Sequence, residues 1–195
     1  MMREWGDLLQ KYTELGGTLI LEEVPAWVID LTDGGGLREW EKPVGNTSPG
    51  TVQFGALSGV RFRYDPRGAV TKIRILQAHA LAEGLGQPNE WMEISYKEGD
   101  SNYGYLAYPA AAQDATVLIE AEHEACPYDG VAYMRRGKIN GVYPLVTVNQ
   151  FGKGVVIRHY AHVSLPTTLG EERFQTLAAN LAQYVRKLYN EHAKP

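Results

Sequence analysis

Cysteine is nearly absent from this chain: one residue, Cys126, stands among 195. A lone cysteine cannot close an intrachain disulfide, which suits a reducing compartment and makes a cytoplasmic location the expectation. Long apolar runs are lacking as well. The longest, such as Thr18 to Leu21 and Leu145 to Val148, fall far short of the roughly 20 residues that a bilayer-crossing helix needs. The N-terminus has no signal-peptide core, so no membrane partner is expected. Nor is there an excess of positive charge. The formal net charge is −4 and no Lys/Arg-rich run offers the concentrated field that phosphate backbones require, which argues against a nucleic-acid partner. No internal repeat, low-complexity tract or linker interrupts the chain. With 44% hydrophobic and 22% charged residues, the composition is that of one ordinary globular domain spanning 1–195.

What is present begins with a helical stripe. Trp5, Leu8, Leu9, Tyr12 and Leu15 recur at three- and four-residue spacing, which predicts an amphipathic helix. Gly16-Gly17 ends it, and the apolar run from Thr18 to Leu21 follows at once, reading as a strand buried on both faces of a parallel sheet. From Val24 to Gly50 the pattern dissolves into Gly, Pro, Asp, Asn and Ser, a long surface excursion. Further strands are expected at Val60 to Tyr64, Val70 to Leu76, Trp91 to Tyr96, Tyr103 to Tyr108, Thr116 to Ala121 and Val155 to Tyr160. Val131 to Val148 reads as a hairpin turning at Asn140-Gly141. From Glu171 to His192, the spacing of Phe174, Leu177, Ala178, Leu181, Tyr184, Val185 and Leu188 predicts a closing helix.

Several segments then align with one superfamily. "LLQKYTELGGTLIL" (8–21) resembles the helix-plus-strand of trehalose-utilisation-type proteins and of the trimerisation domain of family 42 β-galactosidases, both variants of the class I glutamine amidotransferase fold. "SPGTVQFGALSGVRF" (48–62) and "HALAEGL" (79–85, with Glu83) are similar to further segments of those trimerisation domains. "PLVTVNQFGKGVVIRHYAHVS" (144–164) resembles their Gly-Lys-Gly strand region before the last helix. The resemblance implies an α/β, flavodoxin-like, class I amidotransferase-like three-layer sandwich with a mostly parallel sheet and an added β-hairpin region. It also implies an N-terminal truncation, because a strand–helix–strand segment normally precedes the helix with which this chain opens. The strand at Thr18 to Leu21 would then expose an apolar edge that something must cover: a second copy in a homo-oligomer, another part of the chain, or a missing N-terminal segment.

Chemistry is harder to place. In working amidotransferases the strand after the Gly pair ends in a Gly-x-Cys-x-Gly elbow that presents the nucleophile. Here it runs into Glu22, Glu23, Val24 and Pro25, so glutaminase activity is not expected; Cys126 lies far along the chain in a polar context. The resemblance places His162 where the family's catalytic histidine sits, at the carboxyl end of a strand where open α/β sheets gather ligands. Ser164 replaces the glutamate that would orient it. Glu22 or Glu23 beside His162 would make an acid/base pair if a pocket joined them, though adjacent glutamates point to opposite faces and commonly serve as solvated charges. Trp27, Trp40 and Trp91, together with 12 tyrosines, offer aromatic platforms suited to a carbohydrate ligand, against their ordinary role as core residues. His159 and His162 are three apart and so on opposite faces of a strand. The group Glu120, Glu122, His123 and Glu124 holds a single imidazole, so no metal and no cofactor is expected. Two functions remain open. One is a non-glutaminase domain associated with carbohydrate metabolism, acting in oligomer assembly or ligand binding. The other is a small hydrolase, a glycosidase or esterase, using Glu23 or Glu22 with His162.

Overall fold

A computed structural model describes residues 2–22, 57–62, 68–94, 106–107, 110–125, 141–159 and 172–192. The predicted first helix is α1, Met2–Glu14. Gly16, at φ 112°, then turns the chain out of the helix, a conformation that residues with a Cβ resist. Strand β1, Thr18–Glu22, starts immediately. The following strands are β2 (Val60–Phe62), β3 (Gly68–Ile75), β4 (Trp91–Glu93), β5 (Leu106–Ala107), β6 (Ala110–Ala112), β7 (Thr116–Ala125), β8 (Gly141–Phe151) and β9 (Gly154–His159). The closing helix is α2, Glu172–His192.

The main sheet runs β1-β9-β8-β7-β3-β4, with β5 also pairing β3, while β2 and β6 form a separate two-stranded sheet. Only β1 against β9 is a parallel ladder among the described strands; β9 with β8, β8 with β7, β7 with β3, and β3 with β4 and β5 are all antiparallel. The mixed α/β composition therefore stands, but the mostly parallel sheet expected from the sequence does not describe these strands. Connectivity gives the reason. Parallel neighbours need a crossover of a dozen or more residues, usually helical. β8 and β9 are instead joined by the tight turn Gly152-Lys153, which forces them antiparallel. Of the hairpin expected over Val131 to Val148, residues 131–140 lie outside the described residues; its second arm falls within β8, which Gly141 opens and which pairs with β7 and β9.

Two apolar clusters flank the sheet. Ile73, Ile75, Ile119, Ala121 and Ile157 pack with Phe174, Leu177 and Leu181 of α2. Val156 packs instead with Leu57, Leu9 of α1, Leu19 and Phe151. Because Val156 and Ile157 are consecutive on one strand, the two clusters lie on opposite faces, one under each helix. The fit beneath α1 is close: a Cβ on Gly154 would overlap the carbonyl oxygens of Gly17 and Thr13, and Lys153 N–H donates to the Glu14 carbonyl at 3.1 Å. The segment "HALAEGL" (79–85) is a turn clamped to α2. His79 accepts from Leu81 N–H at 3.1 Å and meets Tyr184 edge-on, with ring centroids 4.9 Å apart; Asn180 donates to the carbonyls of Leu81 and Glu83.

Candidate functional site

The carboxyl ends of β1 and β9 lie side by side, with Glu22 in register with His159. Glu23 and His162 continue from those two ends, but both lie outside the described residues, as do Trp27, Trp40 and Cys126. The structure thus brings together the strands that lead to the expected pair, but of its candidate members only Glu22 falls within the described residues.

Behind these ends lies a polar cluster that the sequence reading passes over. Arg158 is fully buried on the α1 face of β9, and its Nη1 donates to the Ser58 hydroxyl at 3.1 Å. Its cross-strand neighbour Thr147 is fully buried as well. Two residues further along β8, Asn149 Nδ2 donates to the Leu57 carbonyl at 2.9 Å. These bonds tie the 57–59 segment onto the sheet and satisfy polar groups that would otherwise be costly to bury. The signal in the sequence was a charged residue, Arg158, directly after the apolar run from Val155 to Ile157 and within the expected strand Val155 to Tyr160.

His123 lies elsewhere, on β7. It is fully buried, neither ring nitrogen has a hydrogen-bond partner, and its ring meets Tyr143 edge-on at 5.1 Å. Burial without a partner disfavours the charged imidazolium and lowers its pKa to about 3. Glu120 and Glu122 alternate with it onto the opposite face, where Arg74 Nε donates to Glu120 at 2.6 Å and Lys72 reaches Glu122 at 3.3 Å and Glu93 at 3.6 Å. Those carboxylates raise the Lys72 pKa, Glu122 most. Strand alternation therefore separates His123 from Glu120 and Glu122, and these two carboxylates meet basic partners.

Trp91 sits beside that charged row, on edge strand β4, 39% exposed, with the Arg74 guanidinium 4.6 Å from its ring centroid. One ring face already holds a cation, so the platform for a ligand is smaller than the bare residue suggested.

The largest departure from a satisfied surface is at the other end of the sheet. Of the α1 stripe, Leu9 packs against the core and Thr13 is fully buried. Leu8, Tyr12 and Leu15, one turn apart on the adjoining face, are 60%, 52% and 72% exposed, and Ile20 on β1 is 39% exposed. The strand expected to be buried on both faces is therefore the end strand of the described sheet.

No family model matches the chain. No curated protein matches it. Among solved structures, cytoplasmic protein STM1381 of Salmonella typhimurium is similar over 93% of this chain and 60% of its own, at TM-score 0.54 and 14% identity. Cytoplasmic protein STM3548 of the same organism is similar over 92% and 59%, at TM-score 0.52 and 12% identity. These two share the fold, and this chain spans less than two thirds of either. A β-galactosidase from Bacillus circulans sp. alkalophilus matches over 92% of this chain and 20% of its own, at TM-score 0.47 and 17% identity. No described helix is long and apolar enough to cross a membrane.

Proposed function

We propose that this chain is a non-glutaminase, amidotransferase-like domain associated with carbohydrate metabolism, acting in oligomer assembly or ligand binding, with assembly as the role the geometry favours. The observation that carries assembly is the uncovered apolar surface of α1 together with the outer edge of β1. Among the described residues no strand pairs with that edge, and monomeric proteins seldom leave a large contiguous apolar patch beside an unpaired strand edge. Lack of a Gly-x-Cys-x-Gly elbow after β1 supports the non-glutaminase reading, and the carbohydrate connection rests on the ordered segments of sequence resemblance. Multi-angle light scattering of the purified chain tests it: a dimer or higher oligomer through the micromolar range is expected, and a stable monomer there refutes assembly.

A second reading, a small glycosidase or esterase, draws support from the register of Glu22 with His159, which starts Glu23 and His162 from neighbouring strand ends. It predicts turnover of chromogenic glycosides or esters that Glu23→Gln and His162→Asn abolish. Equal rates in all three proteins would discard it.

A further inference from the structure

Backbone polarity shows how the β1 edge can be filled. Val155 N–H donates to the Gly17 carbonyl at 3.2 Å, and Thr18 stands in register with Val155. The N–H and C=O of one strand residue point to the same side and alternate along the strand. Gly17, Leu19 and Leu21 therefore turn their backbone groups to β9, while Thr18, Ile20 and Glu22 turn theirs outward, where no described strand pairs with them.

The opposite edge of the sheet is managed differently. β4 is 3 residues long and carries Glu93, paired with Lys72, a short charged edge that discourages pairing. β1 has no proline, lysine or bulge along Thr18–Glu22. Its apolar overhang also has a direction. The Tyr12 ring lies against Gly17, where a Cβ would overlap it, while the Thr13 carbonyl lies against Gly154 of β9. The exposed side of α1 is thus its β1 side, beyond which the described sheet has no further strand.

Resting on the assembly reading above, we infer that a second copy of this chain occupies this surface, with β1 pairing antiparallel to its own counterpart about a two-fold axis through Ile20, normal to the sheet. Thr18, Ile20 and Glu22 then exchange backbone hydrogen bonds with Glu22, Ile20 and Thr18 of the other copy. Each Glu22 faces a threonine, whereas an in-register parallel pairing would set Glu22 beside Glu22. Both copies of α1 lie on one face of the continuous sheet with their exposed sides turned to the axis, so Leu8, Tyr12 and Leu15 of each meet those of the other. The contact is isologous and closes on itself, leaving no free β1 edge for further growth.

Cross-linking tests the geometry. In a Cys126→Ser background, Ile20→Cys sets two thiols on residues whose Cα atoms stand about 5.5 Å apart in a hydrogen-bonded antiparallel pair, within disulfide reach. Mild oxidation should convert most of it to covalent dimer. Thr18→Cys should not link, because the two copies of residue 18 stand roughly 14 Å apart. The double variant Thr18→Cys/Glu22→Cys should link without altering Ile20, covering the case in which Ile20→Cys fails to fold. If the wild-type chain is dimeric but Thr18→Cys links as well as Ile20→Cys, or neither Ile20→Cys nor the double variant links, this geometry is overturned while assembly stands. A monomeric wild-type chain removes both.

Discussion

His123 brings two ring nitrogens into a place where neither meets a hydrogen-bond partner. Its pKa, lowered from 6.5 to about 3, means that the unfolded chain binds more protons than the folded one between those values. Its share of stability is complete above pH 6.5 and is lost as pH falls toward 3, at a slope approaching about 1.4 kcal/mol per pH unit. Urea melts from pH 7 to pH 4 should show this fall, and His123→Leu, which removes both unsatisfied nitrogens, should flatten it; an unchanged slope would mean that the imidazole titrates in contact with water. Asn149→Ala removes the buried bond to the Leu57 carbonyl at 2.9 Å and should cost about 1–3 kcal/mol in the same melts. Little of this was legible locally. Strand alternation does separate His123 from Glu120 and Glu122 within the sequence itself. By contrast, Arg74 over Trp91, or Arg158 under Ser58, depends on segments that meet across 17 and 100 positions, which no local pattern reports.

At the scale of elements, α1 and α2 were readable because a helix repeats its apolar face every three or four residues whatever it packs against. Strand positions were readable for the same reason; strand partners were not. An apolar run such as Thr18 to Leu21 looks alike in the middle of a parallel sheet and at an edge, since both bury hydrophobic side chains. What separates the cases is the connection between strands, and here the two-residue turn Gly152-Lys153 imposes antiparallel pairing on β8 and β9. The close approach of α1 to the β8–β9 hairpin supplies a test. Gly154→Ala places a methyl against two backbone oxygens that cannot turn aside as a side chain could. It should cost at least about 1–3 kcal/mol in thermal or urea melts; wild-type stability would show that the helix is not seated there.

For the whole molecule, the candidate site and the assembly surface belong to the same strand. β1 carries Glu22 at its carboxyl end and presents along its length an edge that no described strand pairs with, so the proposed assembly and the candidate site would adjoin on one strand. The amidotransferase-like resemblance pointed to this strand because of a lost nucleophile. The structure adds that the same strand ends the described sheet, beside a helix that leaves Leu8, Tyr12 and Leu15 of its apolar stripe exposed. The most direct test compares solution mass for the wild-type chain and Ile20→Lys, with far-UV circular dichroism as the check on folding. The account predicts a wild-type mass of twice the chain's 21.7 kDa and a folded monomer for Ile20→Lys, because a lysine at the two-fold axis meets its own like charge. A wild-type monomer, or an Ile20→Lys dimer as tight as wild type, would contradict it.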